Sequence, residues 1–118
     1  GEVTYDELAL EKETINENED ITLSVKLTNH SDKEVLETVQ LYVRDVVGET
    51  ARPLKELKGF KQVTLAANES QVVTLSLQTK ELAYVHQNLE WSVDQGEFTL
   101  MVGPNSRELA LSKTLIIE

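Results

Sequence analysis

Hydrophobic and polar residues alternate along several stretches of the chain. The clearest alternation covers residues 21–29, where every second residue from Ile21 to Leu27 is apolar and the intervening ones are Thr, Ser or Lys. The same period of two recurs at residues 39–43, 73–77 and 98–102. A period of two with one apolar side is typical of a strand that covers a core with one face. The pattern therefore predicts half-buried strands.

Weaker patterns suggest further elements. Residues 5–10 are predicted to form an edge strand, 91–93 a short strand, and 109–117 a last strand whose apolar row is interrupted by Lys113. Residues 79–84 have a helix-like composition but room for only one or two turns. In the stretch that follows the loop at 45–51, Leu54, Leu57 and Phe60 are unevenly spaced. This spacing predicts a bulge or bend near Gly59.

Turn signals separate the predicted strands about every ten residues, as in an immunoglobulin-like sandwich. No long amphipathic helix alternates with the strands, which disfavours an α/β fold. We therefore predict an all-β fold, an antiparallel β-sandwich of about seven strands that forms one domain over residues 1–118. The turns are expected at residues 16–20, 29–33, 45–51, 68–69, 94–96 and 103–106.

Composition supports a self-sufficient core and narrows the range of partners. The chain has 118 residues, of which 40% are hydrophobic, and no cysteine, so disulfide scaffolds and thiolate sites are excluded. Its 21 acidic and 11 basic residues give a net charge of −10, which makes nucleic acid a poor partner. No apolar run approaches the ~20 residues of a membrane span, so no membrane partner is expected. Because the chain opens with Gly1 rather than methionine, we expect an excised piece of a larger protein.

Residues suited to chemistry are sparse. Most acidic residues fall in turns or at outward strand positions, as a solvated surface requires. The acidic turn at 16–20 lacks the glycine around which a calcium loop bends. His30 and His86 are the two histidines of the chain, and neither suggests a catalytic triad. We therefore predict no catalytic, cofactor-binding or metal-binding residue in this chain.

Two stretches of the sequence carry a family resemblance. VQLYVRD at 39–45 and RPLKELKGF at 52–60 closely resemble the fibronectin type III-like domain near the carboxyl end of glycoside hydrolase family three β-glucosidases and β-xylosidases. The likeness continues through residues 82–84, Trp91, residues 96–98 and residues 102–103, and the departures fall in turns, where substitution is tolerated. The resemblance implies a fibronectin type III-like sandwich. It also implies a parent enzyme whose aspartate nucleophile and glutamate acid/base lie in preceding domains, since neither catalytic motif matches this chain.

The resemblance and the outward side chains together favour a structural role. Tyr and Arg are enriched at protein interfaces, and we expect contact with the preceding catalytic domains of the same polypeptide. An ordinary solvent face is the simpler alternative. The candidates for interdomain contact are the outward residues Gln40, Tyr42 and Arg44 and, across the loop, Arg52, Pro53 and Lys55.

Two other functions remain open from the sequence. The chain could be a carbohydrate-binding module that stacks sugars on Tyr42, Tyr84 or Trp91, or another protein-interaction sandwich. Against sugar binding, aromatics are only 5% of the residues, and Trp91 and Phe98 are expected to fill the core. No cofactor is expected. The sequence leaves localisation open between periplasmic or secreted and cytoplasmic.

Overall fold

The computed structural model describes residues 2–45, 55–82, 84–85, 91–92 and 96–118. Seven strands are 7–11 residues long, which confirms the predicted number, and three more have two residues each. A single 3₁₀ turn at Thr79–Leu82 occupies the short helix-like stretch. The strands are β1 (Val3–Leu10), β2 (Thr14–Ile15), β3 (Asp20–Asn29), β4 (Val35–Asp45), β5 (Lys55–Leu65), β6 (Ser70–Gln78), β7 (Tyr84–Val85), β8 (Trp91–Ser92), β9 (Gly96–Gly103) and β10 (Leu111–Ile117).

The strands form two main sheets. One sheet has three strands in the order β1-β3-β6, and the other has five in the order β2-β10-β9-β4-β5, while β7 and β8 pair separately. The pairs are antiparallel except for β2 and β10, which run parallel. This exception to the predicted antiparallel sandwich arises because the chain crosses from β1 in one sheet to β2 in the other, where no hairpin sets the strand direction. The all-β sandwich is otherwise confirmed.

The core lies between the two sheets and is built from the alternating residues. The apolar rows predicted for β3, β4, β6 and β9 are all buried. Each large aliphatic or aromatic side chain removed from water stabilises the fold by about 1.5–3 kcal/mol before conformational entropy is counted. In β10, Leu115 and Ile117 are buried, Leu111 is half-buried, and the exposed Lys113 interrupts the row as predicted. Phe98 fills the core, with 3% of its surface exposed.

The predicted bulge near Gly59 is present in β5. Leu41 of β4 lies opposite Gly59, whereas the next residue, Tyr42, lies opposite Leu57, so Lys58 is the extra residue. Directly paired residues share a face of the sheet. The bulge therefore places both Leu57 and Phe60 on the outer face, despite their spacing of three.

The turn at 29–33 contains a buried polar residue that the alternation does not reveal. Asn29 is fully buried, and its Nδ2 donates to the carbonyls of Lys33 at 2.8 Å, Leu65 at 3.3 Å and Ala66 at 3.1 Å. Its Oδ1 accepts bonds from the backbone N–H and the hydroxyl of Ser31, at 2.9 and 2.8 Å. Asn29 thus joins the β3–β4 turn to the β5–β6 turn, where Asn68 takes a left-handed φ of 60°.

The remaining predictions divide between confirmed and undescribed segments. The turns at 16–20 and 103–106 are present, and His30 is exposed, with its Nε2 2.9 Å from Thr4 Oγ1. β1 is an edge strand, as expected. The loop after Asp45 and most of the predicted turn at 94–96 lie outside the described residues, as does Val93.

Candidate interdomain contact surface

The outward residues of β4 lie in the middle of a broad sheet face, because β5 and β9 flank this strand. Tyr42 lies between Leu57 of β5 and Met101 of β9. Gln40 lies opposite Phe60 on one side. These cross-strand pairs share the outer face of the five-stranded sheet, and the chain thus brings apolar neighbours to the polar residues that the sequence singled out.

Several of these apolar neighbours are exposed. Phe60 is 66% exposed and Leu57 is 48% exposed, whereas Tyr42, Gln40 and Met101 are partly buried. Leu36, two positions before Thr38 on the same side of β4, is 65% exposed. Leu57 and Phe60 are neighbours along β5, whereas the hydrogen-bonded pair Thr38 and Gln62 lies between them and Leu36 on this face. Adjacent exposed apolar side chains are candidates for an interaction site. We call this surface the β4–β5 face; it consists of Leu36, Gln40, Tyr42, Arg44, Leu57, Phe60 and Met101.

A hydrogen bond ties two of the predicted contact residues together. The Tyr42 hydroxyl donates to Gln40 Oε1 at 2.8 Å, across two positions of the same strand. Arg44 is exposed at the far end of β4, opposite Thr99 of β9. The Tyr42–Gln40 pair limits side-chain freedom before any partner arrives, which lowers the entropic cost of association.

The outer face of the three-stranded sheet has a different composition. There Thr28 Oγ1 and Ser70 Oγ are 2.8 Å apart, and Thr22 Oγ1 and Ser76 Oγ are 3.4 Å apart. Val72, 64% exposed, is the large apolar residue that stands out among these hydroxyls. Such a face satisfies its polar groups internally or with water, and an isolated exposed valine is ordinary. The two outer faces are therefore unequal, and the five-stranded one is suited to contact.

Of the remaining site candidates, some lie in described strands and some lie outside the described residues. Lys55 is the first residue of β5 and lies opposite Arg44. Arg52 and Pro53 lie outside the described residues. The two other candidate aromatics for sugar stacking belong to the small sheet, where Tyr84 pairs with Ser92 and Trp91 with Val85.

The sequence interpretation missed Leu57, Phe60 and Met101 as members of the surface. In the sequence Leu57 and Phe60 indicate only a bend, and Met101 falls at an outward position of the alternation at 98–102. The available signal was their spacing around Gly59, which becomes informative once β5 is paired to β4.

A cleft of about 880 Å³ opens where the starts of β1 and β4 meet the loop at 104–110. Within it the Tyr5 hydroxyl donates to Glu37 Oε2 at 2.6 Å. Burial, reinforced by the hydrogen bond to Glu37, raises the pKa of Tyr5 far above its ordinary range. A general acid or base works best with a pKa near the operating pH. The Tyr5–Glu37 pair is therefore suited to linking the two sheets and not to proton transfer.

The described part of the chain has neither a cluster of metal-ligating side chains nor a helix able to span a membrane. Among those residues, no group of three or more His, Cys, Asp or Glu side chains is placed to hold a metal ion. Nor does any helix of the described segments have the length and apolar character needed to cross a bilayer.

Comparison with known protein families agrees with this architecture. Residues 37–106 match the family described as the fibronectin type III-like domain, which is more than half of the chain. The chain is a fibronectin type III-like domain. The match begins in β4 and ends just beyond β9, and so includes the centre of the β4–β5 face.

The relatives of this fibronectin type III-like domain are carbohydrate-active enzymes. It is 37% identical over 112 residues to thermostable β-glucosidase B of Acetivibrio thermocellus, covering 94% of this chain and 15% of that protein. It is 40% identical over 98 residues to an exo-α-(1→6)-L-arabinopyranosidase of Bifidobacterium breve, covering 82% of this chain and 13% of that protein. The domain therefore spans about one-seventh of the length of these two relatives.

In solved structures, too, this chain corresponds to a small part of a larger enzyme. The domain superposes on a β-glucosidase from Erythrobacter marinus with a TM-score of 0.89 and 31% identity, covering 98% of this chain and 15% of that one. It superposes on the GH3 β-glucosidase of Bifidobacterium adolescentis with a TM-score of 0.86 and 34% identity, covering 98% of this chain and 17% of that one. These matches confirm the resemblance to the domain of glycoside hydrolase family three.

Proposed function

We propose that residues 1–118 form a non-catalytic accessory domain of a family-three β-glycosidase of the β-glucosidase type. In this proposal the domain stabilises the enzyme by packing against the preceding catalytic domains of the same polypeptide. The relatives support the proposal, because the domain matches only 15% of the β-glucosidase of Acetivibrio thermocellus. Most of such an enzyme, including the groups that perform hydrolysis, would lie outside this domain.

The observation that carries the proposal is the pair of exposed apolar residues Leu57 and Phe60 on the β4–β5 face. Full burial of such a side chain contributes about 1.5–3 kcal/mol, and burial of Phe60 or Leu57 against a neighbouring domain would contribute part of that, because each is already partly covered. The half-buried Tyr42 and Gln40 lie beside them on β4 and present polar groups. A protein interface combines apolar contact area with hydrogen-bonding groups, and this face offers both.

The proposed rim of this contact includes three basic residues, Arg44, Arg52 and Lys55, together with Pro53. Arg44 is exposed at the end of β4, and Lys55 follows across the loop. We include Arg52 and Pro53 of the connecting loop, as the sequence suggests. A guanidinium can bind a carboxylate through two hydrogen bonds, so the arginines would fix the register of the two domains.

The test is the double substitution Tyr42→Ala/Arg44→Ala in the whole enzyme. Loss of the contact should lower the melting temperature of the enzyme, by less for each kcal/mol than the about 2–4 °C of a 150–250-residue domain, because the enzyme is larger. A matched control is Thr22→Ala/Ser76→Ala, which removes two hydroxyls from the outer face of the other sheet. An enzyme that melts and hydrolyses substrate unchanged with the Tyr42/Arg44 pair removed would refute the proposed role.

Sugar binding is a second candidate, because Phe60 is an aromatic ring that is 66% exposed. Its direct neighbours across and along the sheet are Gln40 and Leu57, however, and one amide beside one exposed ring falls short of the several hydrogen-bonding partners around an aromatic platform that a sugar requires. Titration of the 118-residue chain with soluble and insoluble glucans decides between the two functions. A saturable signal that Phe60→Ala abolishes would favour sugar binding, and a flat titration favours packing.

A further inference from the structure

Four strands lie at the edges of the two main sheets: β1 and β6 in one sheet, and β2 and β5 in the other. An edge strand presents backbone N–H and C=O groups that can pair with a strand of another molecule. Native proteins usually prevent such pairing with short edge strands, bulges or charged residues. The four edges of this domain differ in how they meet this need.

Three of the four edge strands carry such features themselves. β1 has a bulge between Asp6 and Ala9, where Glu7 takes a left-handed φ of 53°. β2 has only two residues. β5 combines the bulge at Lys58 with three lysines along its length. A strand of another molecule would therefore find no long, regular and uncharged edge at β1, β2 or β5.

β6 lacks all three of these features. Its sequence, SQVVTLSLQ, contains no charged residue, no proline and no glycine. It pairs with β3 over all nine of its residues without a register shift, and among the described strands β3 is its one partner. An uncharged strand of high β-propensity without proline is the kind of segment that pairs with its own copies. The β6 edge therefore needs protection from elsewhere in the domain.

Lys61, in the opposite sheet, supplies a positive charge at this edge. It lies opposite the buried Val39, at an inner-face position of β5, yet it is exposed. Its ammonium group donates to the backbone carbonyl of Thr74, in the middle of β6, at 3.4 Å. An incoming strand would have to displace this hydrogen bond and strip water from the charge, and removing a charge from water is costly. Inward-pointing charged residues on an edge strand are a known means of preventing strand pairing.

We propose that Lys61 keeps the β6 edge from pairing with the β6 edge of a second copy of this chain. Without the lysine, two β6 strands would pair antiparallel about a two-fold axis at Thr74 and join two three-stranded sheets into one of six strands. In that register each Val72 lies opposite the Ser76 of the other copy, and no like charges meet. This role is separate from the proposed packing of the β4–β5 face, because it concerns an edge of the other sheet.

The test is Lys61→Thr in the 118-residue chain, followed by sedimentation equilibrium over a range of protein concentrations. The wild type should keep the monomer mass of 13.3 kDa, whereas the variant should approach twice that mass as the concentration rises. The matched control is Lys26→Thr, which removes the same charge from β3, a strand that is paired on both sides. This control should remain monomeric at every concentration.

A second substitution tests whether β6 is the contact. Val72 is 64% exposed, so Val72→Lys is tolerated there, and in the Lys61→Thr background it should restore the monomer mass. Circular dichroism shows whether each variant is folded, and Lys61→Gln, which also removes the charge, replaces Lys61→Thr if the latter does not fold. A Lys61 variant that stays monomeric at every concentration would overturn the inference. A dimer that persists with Val72→Lys, or a wild type that itself dimerises through β6, would overturn it as well.

Discussion

Asn29 shows how a single polar side chain can hold two distant turns together. Its amide group donates to three backbone carbonyls and accepts two bonds from Ser31, within a fully buried site. Two of the three carbonyls, those of Leu65 and Ala66, lie 36 and 37 positions further along the chain. Buried polar groups are costly unless they are bonded, so a fully satisfied residue of this kind specifies one arrangement of the loops.

We predict that Asn29→Ala destabilises the 118-residue chain by about 3 kcal/mol, because it leaves buried carbonyls and the Ser31 hydroxyl without their partner. Chemical denaturation followed by circular dichroism measures the change. The control is Asn18→Ala, which alters an exposed asparagine of the acidic turn. Equal unfolding midpoints for the two variants would show that the Asn29 bonds are not needed for stability.

Residues whose burial follows from the local sequence pattern could be predicted. Residues whose partners are distant in the sequence could not. The inward rows of β3, β4, β6 and β9 follow from a local period of two, and the structure confirms them. Asn29 could not be predicted, because a polar residue in a turn is usually solvated and its carbonyl partners are remote. Phe60 could not be placed either, because its face depends on where the bulge falls relative to β4.

At the level of elements, a hydrogen bond links the two sheets of the sandwich. Tyr5 belongs to β1 in the three-stranded sheet, and Glu37 belongs to β4 in the five-stranded one. Burial and the Glu37 carboxylate raise the pKa of Tyr5, so the folded state keeps the phenol protonated. The unfolded chain releases this proton near pH 10, the ordinary tyrosine pKa.

The sign of the pH dependence follows from this difference. Below about pH 10 the tyrosine is protonated in both the folded and the unfolded state, and the Tyr5–Glu37 hydrogen bond contributes fully to the free energy of unfolding. As the pH rises above 10, the unfolded state loses the proton while the folded state retains it, so the free energy of unfolding falls. We predict that Tyr5→Phe costs about 1–2 kcal/mol at neutral pH.

The same variant should lose stability less steeply than the wild type between about pH 10 and 11.5. Denaturant unfolding at a series of pH values measures both slopes. Parallel pH curves for wild type and Tyr5→Phe would contradict the assignment of the raised pKa to Tyr5. The sequence could not foresee this link, because alternation assigns residues to faces and does not say which residues meet across the sandwich.

At the scale of the whole molecule, the contrast between the two outer faces carries the functional argument. The three-stranded sheet presents paired hydroxyls, whereas the five-stranded sheet presents Phe60, Leu57 and Leu36. The sequence predicted the polar half of this surface, because Gln40, Tyr42 and Arg44 alternate with buried residues. It could not predict the apolar half, which comes from a different strand and assembles only when β5 pairs with β4.

In the proposed function, a neighbouring domain covers the β4–β5 face in the whole enzyme. Hydroxyl-radical footprinting read by mass spectrometry tests it directly, by comparing side-chain oxidation rates in the 118-residue chain and in the enzyme. We predict that Phe60 and Leu57 oxidise several-fold more slowly in the enzyme, while Val72, equally exposed on the opposite outer face, keeps its rate. Equal rates for Phe60 and Leu57 in the two proteins would contradict the account.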